Sequence, residues 1–169
     1  MNKISVLRIV HDTIVDGIGL RTSVYCTGCS HQCHGCHNPE SWDINSGEWM
    51  DVKDVYKSIV SNPITNVTFT GGDPMQQAEA FCELAKLIKQ NTNKTIWCYT
   101  GYLLEELTGH QLELLNYIDV LVDGKYDETL KIHNLPYRGS TNQRIIEHPA
   151  RCIKGEIHNG TIANRSITT

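Results

Sequence analysis

Four of the seven cysteines in this 169-residue chain fall between Cys26 and Cys36, and three of them set the spacing Cys29-x3-Cys33-x2-Cys36. Nothing else in the sequence constrains the fold so tightly, because a loop this dense in thiols must close around something that binds them. A disulfide framework would spread an even number of cysteines along the chain, so metal binding is the better reading of an odd number crowded into one loop. Three thiolates can hold three irons of a 4Fe–4S cube and leave the fourth iron without a protein ligand. Such a cluster is poorly suited to electron transfer alone and well suited to holding a small molecule on its bare iron.

Other readings compete for the same residues. Cys26-x2-Cys29 and Cys33-x2-Cys36 form two CxxC pairs, as a structural zinc site would, but only Ser30 to Gln32 separate them. Cys33-His34-Gly35-Cys36-His37 matches the CxxCH pattern of haem attachment, which requires an oxidising compartment and leaves Cys29 unexplained. A ferredoxin-type cluster needs a fourth cysteine, for which Cys26, Cys82, Cys98 and Cys152 are candidates. Cys82, beside the apolar stripe of a helix, and Cys98, between Trp97 and Tyr99 in a strand, read as small core residues. Cys26 and Cys152 stay open.

Composition narrows the class. With 40% hydrophobic and 20% charged residues, the chain reads as one globular domain over 1–169, with no pattern in the tail 147–169. A net charge of −4 gives no electrostatic footprint for nucleic acid. No apolar run approaches the roughly 20 residues of a membrane helix. Met1 to Val10 lacks the pattern of a secretory signal. The expectation is a cytoplasmic protein, where thiols stay reduced.

Strand and helix signals alternate. Arg21–Cys26, Asn66–Thr70, Thr95–Thr100 and Ile118–Val122 are β-rich, and Gln143–Ile146 is a further candidate strand. Asp51–Val60 reads as a helix with Val52, Val55, Tyr56 and Ile59 on one stripe. Pro74 to about Gln90 reads as another, buried through Phe81, Leu84, Ala85 and Ile88. Leu103–Leu107 and Gln111–Tyr117 are helical as well. Alternation of this kind predicts βαβ crossovers and an α/β fold, either a partial (β/α) barrel or an open curved parallel sheet. Ligands of such sheets bind beyond the C-terminal ends of the strands. The cysteine loop and Gly71-Gly72-Asp73-Pro74 both directly follow strands, so both are expected at that edge. Asp73 suits an N-cap, Pro74 the first helical position and Gln76 the capping-box partner. Gly71 and Gly72 would also let backbone approach a ligand closely.

Taken together, these motifs resemble the radical SAM (S-adenosylmethionine) superfamily, in which CxxxCxxC precedes a strand–glycine loop–helix unit. Within it, the chain resembles the anaerobic ribonucleoside-triphosphate reductase activating proteins, to about Ile146. The matching pieces are Asp16-Gly17-Ile18-Gly19-Leu20-Arg21, the cysteine loop from Gly28 to Asn38, Gly71-Gly72-Asp73-Pro74 and Tyr99-Thr100-Gly101-Tyr102. Asp119 to Tyr126 and Arg138 to Arg144 complete the series and separate this group from other glycyl-radical activases. The family usually carries an aromatic residue after its third cysteine, where this chain has His37.

The resemblance implies a radical SAM type of sheet and a 4Fe–4S cluster on Cys29, Cys33 and Cys36, with SAM on the open iron. SAM contacts would fall on Gly35, Cys36, His37 and Gly72, with Gly71 and Asp73 as further candidates. A low-potential donor such as a flavodoxin or ferredoxin would reduce the cluster. The 5′-deoxyadenosyl radical that follows would abstract hydrogen from a glycine in the glycyl-radical loop of the large reductase subunit. Roles for Asp123, Lys125, Arg138 and Arg144 stay open between ligand contact, docking and plain structure. Two alternatives remain: activation of another glycyl-radical enzyme such as pyruvate formate-lyase, and a non-catalytic zinc-binding module held by cysteines.

Overall fold

Alternation along the β-rich runs sorts their side chains onto two faces, and each face then demands a different cover. The computed structural model describes residues 2–155. Seven strands form one sheet: β1 (Lys3–Thr13), β2 (Arg21–Cys26), β3 (Glu48–Asp51), β4 (Asn66–Gly71), β5 (Ile96–Tyr99), β6 (Val120–Asp123) and β7 (Arg144–Glu147). Their spatial order is β3-β1-β2-β4-β5-β6-β7. Four helices accompany them: α1 (Val52–Val60), α2 (Ala78–Asn91), α3 (His110–Leu114) and α4 (Pro149–Ile153).

The architecture is mixed α/β, and its sheet is open. The expected parallel sheet is found only at the centre, where β2, β4, β5 and β6 run parallel. Both flanks depart from that expectation, because β1 pairs antiparallel with β2 and β3, and β7 pairs antiparallel with β6. β1 and β3 were absent from the sequence reading. Ile4, Ser5 and Val6 are buried in succession, and the β1–β2 register breaks between Val6 and Arg8 and again between Val10 and Thr13. Those irregularities erase the period of two on which strand reading depends.

Val24, Cys26, Val67, Phe69, Ile96, Cys98, Leu121 and Ile146 belong to the main core, which α1, α2 and α3 complete. The stripe residues Val52, Val55, Ile59, Phe81, Leu84, Ala85 and Ile88 are fully buried there. Phe69 stacks on Phe81 with ring centroids 4.8 Å apart. Each large side chain of this kind contributes about 2–3 kcal/mol through burial. The helix expected from Pro74 starts as a 3-10 turn over Pro74–Gln77 before α2 begins. The alternate residues build the other face: Arg21 and Tyr25 on β2, Thr68 and Thr70 on β4, Trp97 and Tyr99 on β5. No helix-borne core cluster claims them; Trp97 instead joins Val120, Val122 and Ile145 in a small cluster of its own. This face is polar and aromatic, and it carries the site.

Candidate functional site

The parallel strands end together at Cys26, Gly71, Tyr99 and Asp123, and the loops that follow them meet at one edge. The β2 loop closes on itself first: Gly28 N donates to Ser41 O (2.8 Å) and Cys29 N to Trp42 O (3.0 Å). The glycine loop then extends the β2–β4 ladder beyond the strands, with Gly72 N on Cys26 O and Asp73 N on Gly28 O, both 2.8 Å. Gly71 adopts φ +106°, and a Cβ there would stand 2.5 Å from the Cys26 backbone. A Cβ on Gly72 would stand 2.6 Å from Gly28 O. Both glycines therefore have an internal reason to be glycine: two backbones cross with no room for a side chain.

Asp73 is the hub of this edge and is fully buried. Its carboxylate accepts from Met75 N (2.9 Å), Thr100 Oγ1 (2.9 and 3.0 Å) and Gly101 N (3.0 Å), and faces His31 Nε2 at 2.9 Å. The N-cap role holds through Met75 N. The capping box does not form, because Asp73 N is engaged by Gly28 and Gln76 donates to Ser30 Oγ (2.7 Å). Sequence reasoning missed His31, Thr100 and Gly101 as partners of Asp73. No local signal marks them, since the contacts span 42, 27 and 28 residues.

Cys29, Cys33 and Cys36 are free thiols, each half-buried. Burial pushes the Cys29 thiol up, and backbone N–H groups of His31 and Gln32 work against that rise. Asn38 N donates to Cys36 Sγ at 3.4 Å. The remaining cysteines stand apart from this loop. Cys26 and Cys98 are core residues, and burial raises both thiols well above the usual range. Cys82 packs in the core on α2, its thiol raised to about 11 by burial. Cys152 lies on α4, which follows β7; His148 at its start donates to Asp119 O beside the N-terminal end of β6, across the sheet from the cysteine loop. A zinc site built from both CxxC pairs would have to extract Cys26 from that core.

Among the described residues, no three His, Cys, Asp or Glu side chains converge to hold a single ion. A cube makes a different demand, because each thiolate binds its own iron and the sulfurs stand apart. Three thiols in one loop, with a backbone N–H directed at the sulfur of Cys36, fit that donor set.

Beside Cys36 and His37 opens a cavity of about 480 Å³. Tyr25, Thr70 and Tyr99 from the polar face form its floor, and Tyr126, Tyr137 and Arg138 from the β6–β7 connection form its far wall. His37 faces the Tyr126 ring at 5.7 Å. Tyr25 donates to Asp16 Oδ2 at 2.7 Å, and burial raises its hydroxyl well above the usual range. Behind the floor, the buried Arg21 donates to Thr68 Oγ1 (2.6 Å), and desolvation lowers it to about 10. Among the described residues, Tyr126 Oη and Arg138 Nε are buried and find no hydrogen-bond partner. Buried polar groups normally have one, so these walls carry unused hydrogen-bonding capacity.

The residues left open by the sequence separate cleanly. Asp123 is buried and accepts from Leu104 N (2.8 Å) and from Arg144 Nε and Nη2 (2.9 and 2.5 Å). Arg144 also reaches Glu105 (2.8 Å), and these carboxylates raise it above its ordinary value. That pair clamps β7 to the sheet. Lys125 is exposed, while Arg138 lines the cavity.

Residues 15–146 match the 4Fe-4S single cluster domain family, which sets the class of this fold and its cysteine loop. The chain is 38% identical to the anaerobic ribonucleoside-triphosphate reductase-activating protein of Enterobacteria phage T4, over 82% of this chain and 90% of the phage protein. It is 39% identical to the protein of that name from Vibrio cholerae (78% and 90% covered) and 35% identical to that of Escherichia coli K12 (80% and 92% covered). The chain belongs to the family of anaerobic ribonucleoside-triphosphate reductase-activating proteins. Among the described residues, no helix is long and apolar enough to cross a membrane.

Proposed function

We propose that this chain is a radical SAM activase acting on the large subunit of an anaerobic ribonucleoside-triphosphate reductase. Cys29, Cys33 and Cys36 hold a 4Fe–4S cluster, and SAM occupies the open iron and the cavity beside it. The observation that carries this reading is the cavity of about 480 Å³ at the C-terminal edge of the parallel strands, bordered by Cys36 and His37. The other cysteine at that edge, Cys26, is turned into the core, so among the described residues three thiols are offered to a cluster and one iron is left for a small molecule.

When bound on Cys29, Cys33 and Cys36, the cluster would supply the single electron that breaks a sulfonium C–S bond of SAM, releasing methionine and making hydrogen abstraction from a glycine possible. The protein's own residues position and shield. Gly35, Cys36, His37 and Gly72 contact SAM. His37 takes the place of the family's usual aromatic and presents its ring to the cavity alongside Tyr126. Gly71 and Asp73 serve as the frame that fixes Gly72 against the cysteine loop. Tyr25, Tyr99, Tyr126 and Tyr137 line the cavity and give SAM an aromatic surface to lie against. A low-potential flavodoxin or ferredoxin supplies the electron, and a reducing cytoplasm keeps the thiols free.

The test is direct. The anaerobically reconstituted protein, mixed with SAM, a reductant and the large reductase subunit, is expected to give the electron-paramagnetic signal of a glycyl radical on that subunit. A radical raised on pyruvate formate-lyase instead would reassign the partner. Failure to form one on either would overturn the activase.

A further inference from the structure

We propose that His31 is a positioning residue for the cluster, its ring pinned between Asp73 and Gly101 so that the Cys29 limb of the loop presents its thiolate in one conformation. The proposal rests on the reading that Cys29, Cys33 and Cys36 bind an iron–sulfur cluster.

Three histidines punctuate the cysteine loop, and they differ sharply. The His34 side chain is 95% exposed, whereas that of His31 is 7% exposed. Its Nε2 lies 2.9 Å from Asp73 Oδ2. A buried carboxylate that already takes backbone and hydroxyl donors acts as an acceptor, so Nε2 carries the proton and the ring is fixed in one orientation. Tyr102 meets the ring edge-on at 4.5 Å. Gly101 also lies against the ring, where a Cβ would stand 2.3 Å from His31 Cδ2 and 2.7 Å from Nε2. A ring held on three sides leaves little freedom to the backbone that carries it.

That backbone is the part facing the metal ligand. His31 sits two residues after Cys29, and its backbone N–H and that of Gln32 work against the rise that burial gives the Cys29 thiol. Gln32 holds φ +46°, in the left-handed region, which bends the chain sharply just after His31. Hydrogen bonds to a ligand sulfur favour the more negative, reduced cluster and so raise its potential. Groups that orient metal ligands from outside the coordination sphere typically change metal affinity about 10- to 100-fold when removed.

The experiment compares wild type, His31→Ala, His31→Gln and Gly101→Ala after anaerobic reconstitution. A ferrous chelator reads the rate of iron loss, and potentiometric titration followed by electron-paramagnetic resonance reads the cluster potential. Circular dichroism of the cluster-free proteins reports the fold. His31→Ala and Gly101→Ala are expected to release iron about 10- to 100-fold faster than wild type and to reduce at a more negative potential. His31→Gln, whose amide N–H reaches the same carboxylate, is expected to stay near wild type. Gly101→Ala displaces the ring while leaving every residue of the cysteine loop unchanged, so it carries the test alone should His31→Ala fail to fold. Wild-type release rate and potential in the folded His31→Ala protein would overturn the proposal, as would a His31→Gln protein as leaky as His31→Ala. A wild-type protein that takes up no cluster would instead refute the cluster reading beneath it.

Discussion

The cysteine loop has two limbs, and they are held in opposite ways. The first, Gly28 to Gln32, is sewn to the sheet: Gly28 and Cys29 bond Ser41 and Trp42, Asp73 N bonds Gly28 O, and His31 is locked on the Asp73 carboxylate. The second, Cys33 to Asn38, faces outward, and its side-chain tethers are exposed: His34 on Glu128 at 2.8 Å and Arg8 Nη2 on Asn38 Oδ1 at 3.0 Å. The cavity borders the second limb, at Cys36 and His37, while the hub lies behind the first. The contrast teaches that anchoring and access are divided along a single loop. One limb is fixed to its neighbours by backbone and buried side-chain bonds, and the other borders the cavity.

The largest effect should ignore the division. Cys29→Ala in the anchored limb and Cys33→Ala in the open limb are each expected to abolish cluster uptake and SAM cleavage, since two thiolates cannot hold the cube. Iron analysis and 5′-deoxyadenosine formation check this, and an active Cys33→Ala protein would break the ligand assignment. Asp73→Asn attacks the anchored limb alone. It disrupts the acceptor shared by Met75 N, Thr100 Oγ1, Gly101 N and His31, and is expected to cost about 3 kcal/mol in chemical denaturation, the sum of one or two unsatisfied buried groups.

Cys98→Ser sharpens the distinction between loop and core cysteines. It places a hydroxyl in the apolar core and should cost about 1–3 kcal/mol by denaturation, with cluster content unchanged. The smallest effect belongs to the open limb. Glu128→Gln weakens an exposed pair and should change stability by less than about 1 kcal/mol, with iron content and release rate as in wild type. A large loss of iron in that variant would show that the outer limb is anchored after all.

The same two limbs mark how far the sequence could be read. The ligand spacing, the strand before the loop and the glycine turn after β4 are local patterns, and β2, β4, β5 and β6 follow from runs of β-branched and apolar residues. The helix stripes through Val52–Ile59 and Phe81–Ile88 were legible for the same reason. β1 was not, because bulges and its consecutive buried residues hide its alternation, and β3 has only four residues, Glu48–Asp51. The antiparallel flanks went unread with them. Asp73 was legible only as a helix cap, since its other partners come from the β2 and β5 loops and no local pattern encodes such contacts. Asp123 hid in an Asp-Gly turn; its commitment to Arg144 appears only when β7 pairs with β6.

The proposed activity depends most on Cys29, Cys33 and Cys36 together holding a cube with one corner left for SAM. Iron, sulfide and zinc analysis of the anaerobically purified protein, followed on the same sample by dithionite reduction with SAM, tests this most directly. About four irons and four sulfides per chain, with 5′-deoxyadenosine and methionine released on reduction, are the predicted result. One zinc without iron, or a cluster that reduces yet leaves SAM intact, would contradict it.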